Sequence, residues 1–206
     1  MGIIDYGMGN LGSIANMIRH LGGQAELVAE PGDLGNFRQV ILPGVGQFGE
    51  AMRRLDSGDW INALELARGR GIWILGICLG MQLLTRFSEE GECPGLGWFD
   101  FDTNRISGQT AKGSRRRIPH MGWNQVQFNG ETTGALTDAS RFYFVHSYCV
   151  AVTDDSRCWA ATDYEGYSFA SAIRDGRILG VQFHPEKSHR YGKTFLRHFM
   201  NMGVME

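Results

Sequence analysis

Short apolar runs and segments of helical periodicity alternate along the first half of the chain. The runs predict buried strands, and the periodic segments predict amphipathic helices. The predicted strands cover 3–4, 25–28, 40–42 and 72–77, and the predicted helices cover 11–18, 51–69 (with an irregular middle) and 81–84. Strands separated by helices favour a mostly parallel open sheet flanked by helices, an α/β fold.

The second half has a different pattern, with strand-like runs that follow one another directly. Strands are predicted at 142–146, 158–161, 169–173 and 178–183, and a last helix at 191–200. Asp175-Gly176 is a strong hairpin signal, so the last two strands are expected to form an antiparallel portion of the sheet. The polar stretch 103–114 predicts a loop. Because no repeat or linker interrupts the pattern, we expect one domain over 1–206.

Composition and charge narrow the function classes. Among 206 residues, 43% are hydrophobic and 20% charged, with a formal net charge of −2. This balance is typical of a soluble protein and gives no electrostatic reason to expect nucleic acid or an anionic membrane as partner. The start of the chain has no basic segment, and no apolar run approaches the roughly 20 residues that span a bilayer. The sequence therefore predicts a cytoplasmic protein.

The four cysteines are irregularly spaced and include no C-x-x-C pair. In a reducing compartment they are expected to be free thiols. Cys93, Cys149 and Cys158 lack flanking glycines, and we expect them to pack as small hydrophobic side chains.

Cys78 differs from these three, because glycines flank it on both sides directly after an apolar strand. The segment is Gly76-Ile77-Cys78-Leu79-Gly80. A G-x-nucleophile-x-G sequence places a side chain on a sharp strand-to-helix turn, clear of its own backbone and near free amide N–H groups. The pattern predicts that Cys78 is a nucleophile and that the protein is an enzyme.

A second chemistry-bearing segment, GVQFHPEK, covers 180–187. Pro185 removes a ladder donor, so the strand is expected to end at His184. His184 and Glu186 are two residues apart and lie on the same side of an extended segment. Reacting groups collect at the C-terminal edge of open parallel sheets, where Cys78 is also expected. The sequence predicts a Cys78–His184–Glu186 triad, in which imidazolium stabilises the thiolate and the carboxylate fixes the imidazole tautomer.

Other interpretations of His184 and Glu186 stay open at this point. A histidine at a strand end is often only a satisfied polar residue. His184, Glu186 and His189 are also possible metal ligands, but no second cluster has zinc-like spacing, and we expect no metal. An α/β hydrolase is disfavoured, since its acid precedes its histidine along the chain.

The segment Pro43-Gly44-Val45-Gly46 follows a predicted strand and is a candidate for oxyanion stabilisation. Its glycines allow the backbone to turn N–H groups toward the sheet edge. Gly44 and Val45, together with the N–H of Leu79, are therefore the predicted oxyanion hole, in which one donor is worth about 3–4 kcal/mol.

These segments together resemble the class I (triad) glutamine amidotransferases, and most closely the glutaminase subunits of imidazole glycerol phosphate synthases. The resemblance extends over nearly the whole chain. It is carried by DYGMGNL at 5–11, LPGVG at 42–46, GICLGMQ at 76–82, PHMGWN at 119–124 and GVQFHPEKS at 180–188. The first and fourth of these segments are more specific than the triad, which many amidotransferases share.

The resemblance implies roles for residues that the pattern alone does not single out. The implied glutamine-binding residues are Gln82, Glu90, His146, Ser147 and Tyr148. The implied contacts with a partner subunit are Asn10, Trp123, Tyr143 and Lys187, although Trp123 is equally well explained as a core aromatic. No cofactor is implied.

The implied activity is hydrolysis of glutamine to glutamate and ammonia through a cysteine thioester. Members of the family pass the ammonia to a (β/α)₈ barrel cyclase subunit in a heterodimer that makes imidazole glycerol phosphate for histidine biosynthesis. A paralogous glutaminase that supplies ammonia to a bacterial surface-sugar amidotransferase is the alternative.

Two segments keep other interpretations open. Gly7, Gly9 and Gly12 fit G-x-G-x-x-G between a strand and a helix, with Glu26 further on, which is a weak signal for dinucleotide binding. The basic cluster of Lys112 and 115–117 precedes the PHMGWN segment. We expect it to be a solvated loop, with contact to an acidic partner surface as the alternative.

Overall fold

The computed structural model describes residues 1–110, 112–129, 136–137, 140–153 and 155–203. The strands are β1 (Gly2–Ile4), β2 (Glu26–Val28), β3 (Gln39–Leu42), β4 (Trp73–Ile77), β5 (Thr85–Ser88), β6 (Cys93–Pro94), β7 (Phe99–Arg105), β8 (His120–Gln125), β9 (Gln127–Phe128), β10 (Arg141–His146), β11 (Tyr148–Ala151), β12 (Cys158–Tyr164), β13 (Tyr167–Asp175) and β14 (Ile178–Val181). The helices are α1 (Leu11–His20), α2 (Phe48–Ser57), α3 (Trp60–Gly69), α4 (Leu79–Leu83) and α5 (His189–Met202), with short 3₁₀ helices at Pro31–Asn36 and Pro185–Lys187.

One half of the main sheet is parallel and buried. Its strands follow the order β2-β1-β3-β4-β14, and each neighbouring pair in this order is parallel. Strands β3, β4 and β14 are buried at every position, because helices cover both faces of the sheet. The predicted α/β fold with a parallel open sheet is confirmed.

The other part of the sheet is mixed, as the hairpin signal predicts. Strands β13 and β14 pair antiparallel, with Asp175 opposite Ile178 around a turn in which Gly176 has a φ of 54°. The sheet continues from β13 through β11 and β7 to β5 and β6, while β12 pairs with β13 and β9. The predicted antiparallel portion in the second half is therefore confirmed.

Strands β8 and β10 form a separate antiparallel ribbon. Its register places His120 opposite His146 and Trp123 opposite Tyr143. Only Ser147 separates β10 from β11, so the ribbon adjoins the main sheet at the candidate site residues 146–148.

The core has two layers, one on each face of the parallel strands. Successive strand residues point to opposite faces. Accordingly Ile4 packs in the layer with α2 and α3, whereas Ile3 packs in the layer with α1 and α5. The second layer is rich in aromatic rings, and Phe142 stacks on Phe183 with ring centroids 3.9 Å apart. This packing fixes the ends of β10 and β14 relative to each other.

Three element predictions are wrong in detail. The strand expected to end at His184 ends at Val181, and Glu186 does not lie in an extended segment, because Pro185 begins the 3₁₀ helix Pro185–Lys187. The helix predicted at 51–69 is two helices, because the chain breaks at Gly58 and Asp59, and Asp59 has a left-handed φ of 58°. The loop predicted at 103–114 begins too early, since β7 continues to Arg105. The Thr103 hydroxyl is fully buried, 3.2 Å from the Thr85 hydroxyl, and this pairing allows a polar residue to occupy an interior strand position.

The cysteine prediction is confirmed for all four residues, which are free. Cys149 and Cys158 are buried, and Cys93 is partly buried. No helix in the described ranges is both long and apolar enough to cross a bilayer.

Candidate active site

Cys78 sits on a strained turn between the buried strand β4 and the helix α4. Its φ is 55° and its ψ is −108°, a combination that costs a non-glycine residue about 1–3 kcal/mol. The flanking glycines permit the turn sterically. A Cβ on Gly80 would overlap the carbonyl oxygen of Leu42, and one on Gly76 would meet the carbonyl group of Gly80. The predicted nucleophile turn is therefore present in the fold.

His184 and Glu186 form a buried pair just beyond the end of β14. Nδ1 of His184 lies 2.8 Å from a carboxylate oxygen of Glu186, and their side chains are only 2% and 1% exposed. The backbone around His184 is also held, because its N–H donates to the carbonyl of Tyr143 at 2.9 Å and its carbonyl accepts from the Ser188 hydroxyl at 2.6 Å. The carboxylate thus orients the imidazole and leaves Nε2 as the atom that faces the site.

The neighbouring positions of β4 and β14 bring the thiol and the imidazole together. Ile77 is paired with Val181, and the N–H of Cys78 donates to the carbonyl of Val181 at 2.7 Å. Cys78 and His184 consequently line the same cavity, of about 570 Å³. This volume is in the usual range for small-molecule sites, about 300–1,000 Å³.

The electrostatics of His184 favour its charged form. Burial by itself lowers the pKa of His184, but the sulfur of Cys78 and the carboxylate of Glu186 outweigh burial and raise this pKa to about 9. Nε2 is buried and makes no full hydrogen bond within the described ranges. An imidazolium that is held by a carboxylate and has its second nitrogen uncommitted beside a thiol is suited to proton transfer.

The five residues considered for glutamine binding all line this cavity. Gln82 is 4% exposed, and its side-chain N–H₂ donates to the carbonyl of Tyr148 at 2.9 Å. A Glu90 carboxylate oxygen accepts from the N–H of Phe48 at 2.9 Å. Burial raises the pKa of Glu90 above its usual value, despite the opposing effect of this hydrogen bond. The segment His146, Ser147 and Tyr148 forms one wall.

The three candidates for oxyanion stabilisation take different positions. Leu79 and Val45 line the cavity, whereas Gly44 is packed against α4, where a Cβ would come within 2.8 Å of the Leu79 side chain. The preceding residue, Pro43, has its carbonyl bound by the hydroxyl of Tyr6 at 2.9 Å. The loop at 43–46 is thus fixed at its base, and Val45 and Gly46 reach the cavity.

A comparison with protein-family models assigns the chain to a family. Residues 2–202 match the family described as glutamine amidotransferase class-I. The chain belongs to this family. This membership disfavours the dinucleotide-binding alternative. In the glycine-rich segment behind that alternative, the carbonyl of Gly7 accepts a hydrogen bond from Arg54 at 2.8 Å.

Similar amidotransferases are found among curated proteins and solved structures. The chain is 43% identical to "Imidazole glycerol phosphate synthase subunit HisH 2" of Methanococcus maripaludis, over 96% of this chain and 97% of that protein. It is 37% identical to the protein of the same name from Pseudomonas aeruginosa, over 97% and 98%. A solved structure titled "Crystal structure of glutamine amidotransferase" has a TM-score of 0.75 with 16% identity, covers 98% of each chain, and shows the shared fold.

Two of the four residues considered as amidotransferase subunit contacts line the cavity, and the other two lie on the ribbon of β8 and β10. Asn10 and Lys187 line the cavity itself. Trp123 is 38% exposed on β8, so it is not a core aromatic. Its ring stacks on His189 with a centroid distance of 5.4 Å and meets Tyr143 edge-on at 6.2 Å. Trp123 and Tyr143 pair across the ribbon of β8 and β10, and the N–H of Tyr143 donates to the hydroxyl of Ser188, the residue after Lys187, at 2.9 Å.

The basic cluster is only partly the solvated loop that we expected. Arg116 is 3% exposed, and its guanidinium donates to the carbonyls of Ser107, Gln109 and Glu165. It also lies over the ring of Tyr167 at 5.2 Å. Backbone acceptors and an aromatic face stabilise this buried cation, which sequence inspection could not separate from the exposed Arg115.

Two polar residues of the site were missed by the sequence analysis. Gln182 is fully buried, and its side-chain nitrogen lies 3.7 Å from the Cys78 sulfur. His120 is buried against His146, with Nδ1 and Nε2 3.0 Å apart. Burial lowers the pKa of both imidazoles, to about 4 for His120 and about 3 for His146, so both are neutral. The sequence did contain one signal for Gln182, since it is a polar residue between the apolar Val181 and Phe183 at the end of a predicted strand.

Proposed function

We propose that this chain is the glutaminase subunit of an imidazole glycerol phosphate synthase, with Cys78, His184 and Glu186 as its catalytic triad. One observation supports the proposal above all others. A buried imidazole, oriented by a carboxylate at 2.8 Å, lies in one cavity with a cysteine on a strained nucleophile turn. The names of the similar proteins from M. maripaludis and P. aeruginosa supply the subunit assignment.

The first half of the reaction forms a thioester. The thiolate of Cys78 attacks the side-chain amide carbon of glutamine, and the electron pair of the C=O bond moves onto oxygen. His184, protonated below its raised pKa of about 9, gives its Nε2 proton to the departing nitrogen. The C–N bond breaks as the carbonyl reforms, which releases ammonia and leaves a glutamyl thioester.

The second half hydrolyses the thioester. Neutral His184 takes a proton from water, and the resulting hydroxide attacks the thioester carbonyl. Collapse of the tetrahedral intermediate breaks the C–S bond, which releases glutamate and regenerates the thiolate–imidazolium pair. Glu186 keeps one tautomer of His184 throughout, since its oxygen accepts from Nδ1.

Both steps place negative charge on the carbonyl oxygen, and the N–H of Leu79 is the proposed primary donor to it. Leu79 is the first residue of α4 and directly follows the nucleophile. Val45 lines the same cavity and is the proposed second donor, with Gly44 providing the close approach between the loop and α4. Each such donor contributes about 3–4 kcal/mol in the transition state.

The lining of the cavity also suits the charged amino-acid end of glutamine. The carboxylate of Glu90 complements an α-ammonium group, and it is anchored by the Phe48 N–H. Gln82 and the backbone of His146, Ser147 and Tyr148 would complete the pocket. Because Gln82 donates through its nitrogen to Tyr148, its oxygen is the atom left for the substrate.

Ammonia released into water mostly becomes ammonium, which is not a nucleophile, so the proposed function includes a partner subunit. We propose a heterodimer with a (β/α)₈ barrel cyclase, joined through the face formed by Asn10, Trp123, Tyr143 and Lys187. The chain would be a single amidotransferase domain, since the family match covers 2–202. The four free cysteines suit a reducing cytoplasm, where we place the reaction.

The substitution Cys78→Ala tests the nucleophile. We expect glutamine-dependent synthesis by the complex to disappear, while synthesis from added ammonium salts continues. Cys158→Ala, which alters a buried cysteine outside the cavity, is the control and should retain glutamine-dependent activity. Glutamine hydrolysis that survives Cys78→Ala would refute the proposed mechanism.

A second candidate function is the delivery of ammonia to a surface-sugar amidotransferase. Complementation of a histidine auxotroph that lacks its glutaminase subunit separates the two. Growth without histidine supports the synthase role, and failure by a well-expressed protein favours the second candidate.

A further inference from the structure

Gln182 faces the same sulfur atom as His184. It directly follows β14, two residues before His184, and it is fully buried. Its side-chain nitrogen Nε2 lies 3.7 Å from Sγ of Cys78. A buried amide in van der Waals or hydrogen-bonding contact with a nucleophile requires a chemical reason, because burying an amide costs free energy unless its hydrogen bonds are made.

A backbone carbonyl determines which end of the Gln182 amide faces the sulfur. The carbonyl of Tyr148 can only accept, so the Gln82 atom 2.9 Å away must be its N–H₂ group. The second hydrogen of that group then donates to Oε1 of Gln182, 3.0 Å away. With its oxygen committed to Gln82, the Gln182 amide must turn its nitrogen toward Sγ.

The same carbonyl receives a second hydrogen bond, from Nδ1 of His146 at 2.9 Å. Because burial keeps His146 neutral, this nitrogen carries the single imidazole proton and Nε2 accepts from His120. The acceptor role of the Tyr148 carbonyl is thus fixed from two sides. The orientation of Gln182 follows from this network rather than from an arbitrary choice of amide rotamer.

We propose that Gln182 is a further catalytic residue, whose N–H donates to the thiolate of Cys78 and stabilises it. A thiolate accepts hydrogen bonds far better than a thiol does, so a fixed donor favours the ionised form. The amide is not a proton-transfer group at neutral pH, so it complements His184 and does not replace it. This proposal rests on the function proposed above only in taking Cys78 as the nucleophile.

Two substitutions separate the donor from the scaffold. Gln182→Glu keeps an oxygen for Gln82 but replaces the N–H₂ group with a second oxygen that repels thiolate. Gln182→Met keeps the approximate length and removes both polar atoms. Ser171→Ala is the control, because Ser171 is buried on the adjacent strand and its carbonyl accepts from the Gln182 backbone N–H at 3.0 Å.

The measurement is the rate of alkylation of Cys78 by iodoacetamide between pH 5 and pH 10, followed on the Cys78 peptide by mass spectrometry. We expect Gln182→Met to shift the midpoint of the rate–pH profile to higher pH by about one unit, as the loss of one hydrogen bond to a charged group predicts. The alkylation rate at low pH should fall about tenfold. Gln182→Glu should move it further. Ser171→Ala should match the parent protein.

An NMR titration of the parent protein tests the same contact without a substitution. The side-chain amide proton of Gln182 should shift with the same pH midpoint as the alkylation of Cys78. Profiles that coincide for parent and folded variants, or an amide resonance that does not respond, would overturn the role of Gln182. Neither readout requires glutamine turnover, so a failure here is distinct from glutaminase activity surviving Cys78→Ala.

Discussion

The substitution Glu186→Gln removes the charge that faces His184 while keeping nearly the same side-chain size. The Glu186 side chain is 1% exposed and accepts from Nδ1 of His184 at 2.8 Å. A glutamine oxygen can still accept at this position, so the orientation of the imidazole is retained and the loss is mainly electrostatic. The substitution therefore isolates the contribution of the carboxylate to the stability of the imidazolium.

The magnitude follows from the pKa of His184, which rises from 6.5 to about 9 through Cys78 and Glu186 against the effect of burial. A rise of this size corresponds to about 3 kcal/mol. Because the folded-state pKa lies above the unfolded value, this stabilisation is complete below about pH 6.5 and is lost as pH rises through about 9. Glu186→Gln should remove a substantial part of it, on the order of 1–2 kcal/mol.

The assay is urea unfolding of parent and variant at pH 6, 7.5 and 9.5. We expect the parent to exceed Glu186→Gln in unfolding free energy by about 1–2 kcal/mol at pH 6, with a smaller difference at pH 9.5. The matched control is Glu30→Gln, an exposed carboxylate before the first 3₁₀ helix, whose difference from the parent should be near zero at every pH.

Glutaminase activity gives a second readout for the same variant. The loss of the charged triad member should lower kcat by about 10²- to 10⁴-fold, with Glu30→Gln unchanged. A parent–variant difference in unfolding free energy that stays constant from pH 6 to pH 9.5 would refute the claim that Glu186 raises the pKa of His184. Unchanged kcat would refute its place in the triad.

Two further predictions concern the nucleophile turn and the substrate pocket. In Gly80→Ala, the added methyl group would overlap the Leu42 carbonyl. We therefore expect the free energy of unfolding, measured by thermal denaturation, to fall by about 1–3 kcal/mol and the alkylation of Cys78 to become slower. A fully stable and fully reactive variant would contradict the close approach of Gly80 to Leu42. In Glu90→Gln, loss of charge opposite the α-ammonium group should raise KM for glutamine about tenfold with little change in kcat, the cost of roughly 1.4 kcal/mol of binding. Steady-state kinetics check it, and an unchanged KM would exclude Glu90 from the pocket.

The parts of the fold that sequence could predict are those set by local signals. The apolar runs placed β3, β4 and β14, and the glycines around Cys78 placed the turn, because a sharp strand-to-helix connection leaves few alternatives. The convergence of Cys78 and His184 followed from a general property of parallel sheets, in which strand ends share one edge. In the structure, the pairing of Ile77 with Val181 sets the relative positions of the two strand ends.

The features that sequence could not predict depend on tertiary partners. Arg116 is buried because three carbonyls from two loops surround it, those of Ser107 and Gln109 in one loop and that of Glu165 in the other. The orientation of the Gln182 amide depends on a hydrogen bond from Gln82, which lies a hundred residues earlier in the chain. The break between α2 and α3 is of a different, local kind, since it depends on the left-handed φ of Asp59 in a segment whose apolar spacing is otherwise helical. The contacts of Arg116 and Gln182 are tertiary. Local patterns contain no information on such distant contacts.

The pairing of β4 with β14 has a consequence for the newly made polypeptide. Residue 78 leaves the ribosome long before residues 178–186, yet the imidazole and carboxylate that we propose activate it belong to that late segment. On the proposed mechanism, a nascent or prematurely terminated chain lacks these two groups and does not hydrolyse glutamine before its fold is nearly complete. The order of synthesis thus postpones glutamine hydrolysis without a partner until the proposed partner-binding surface has also formed.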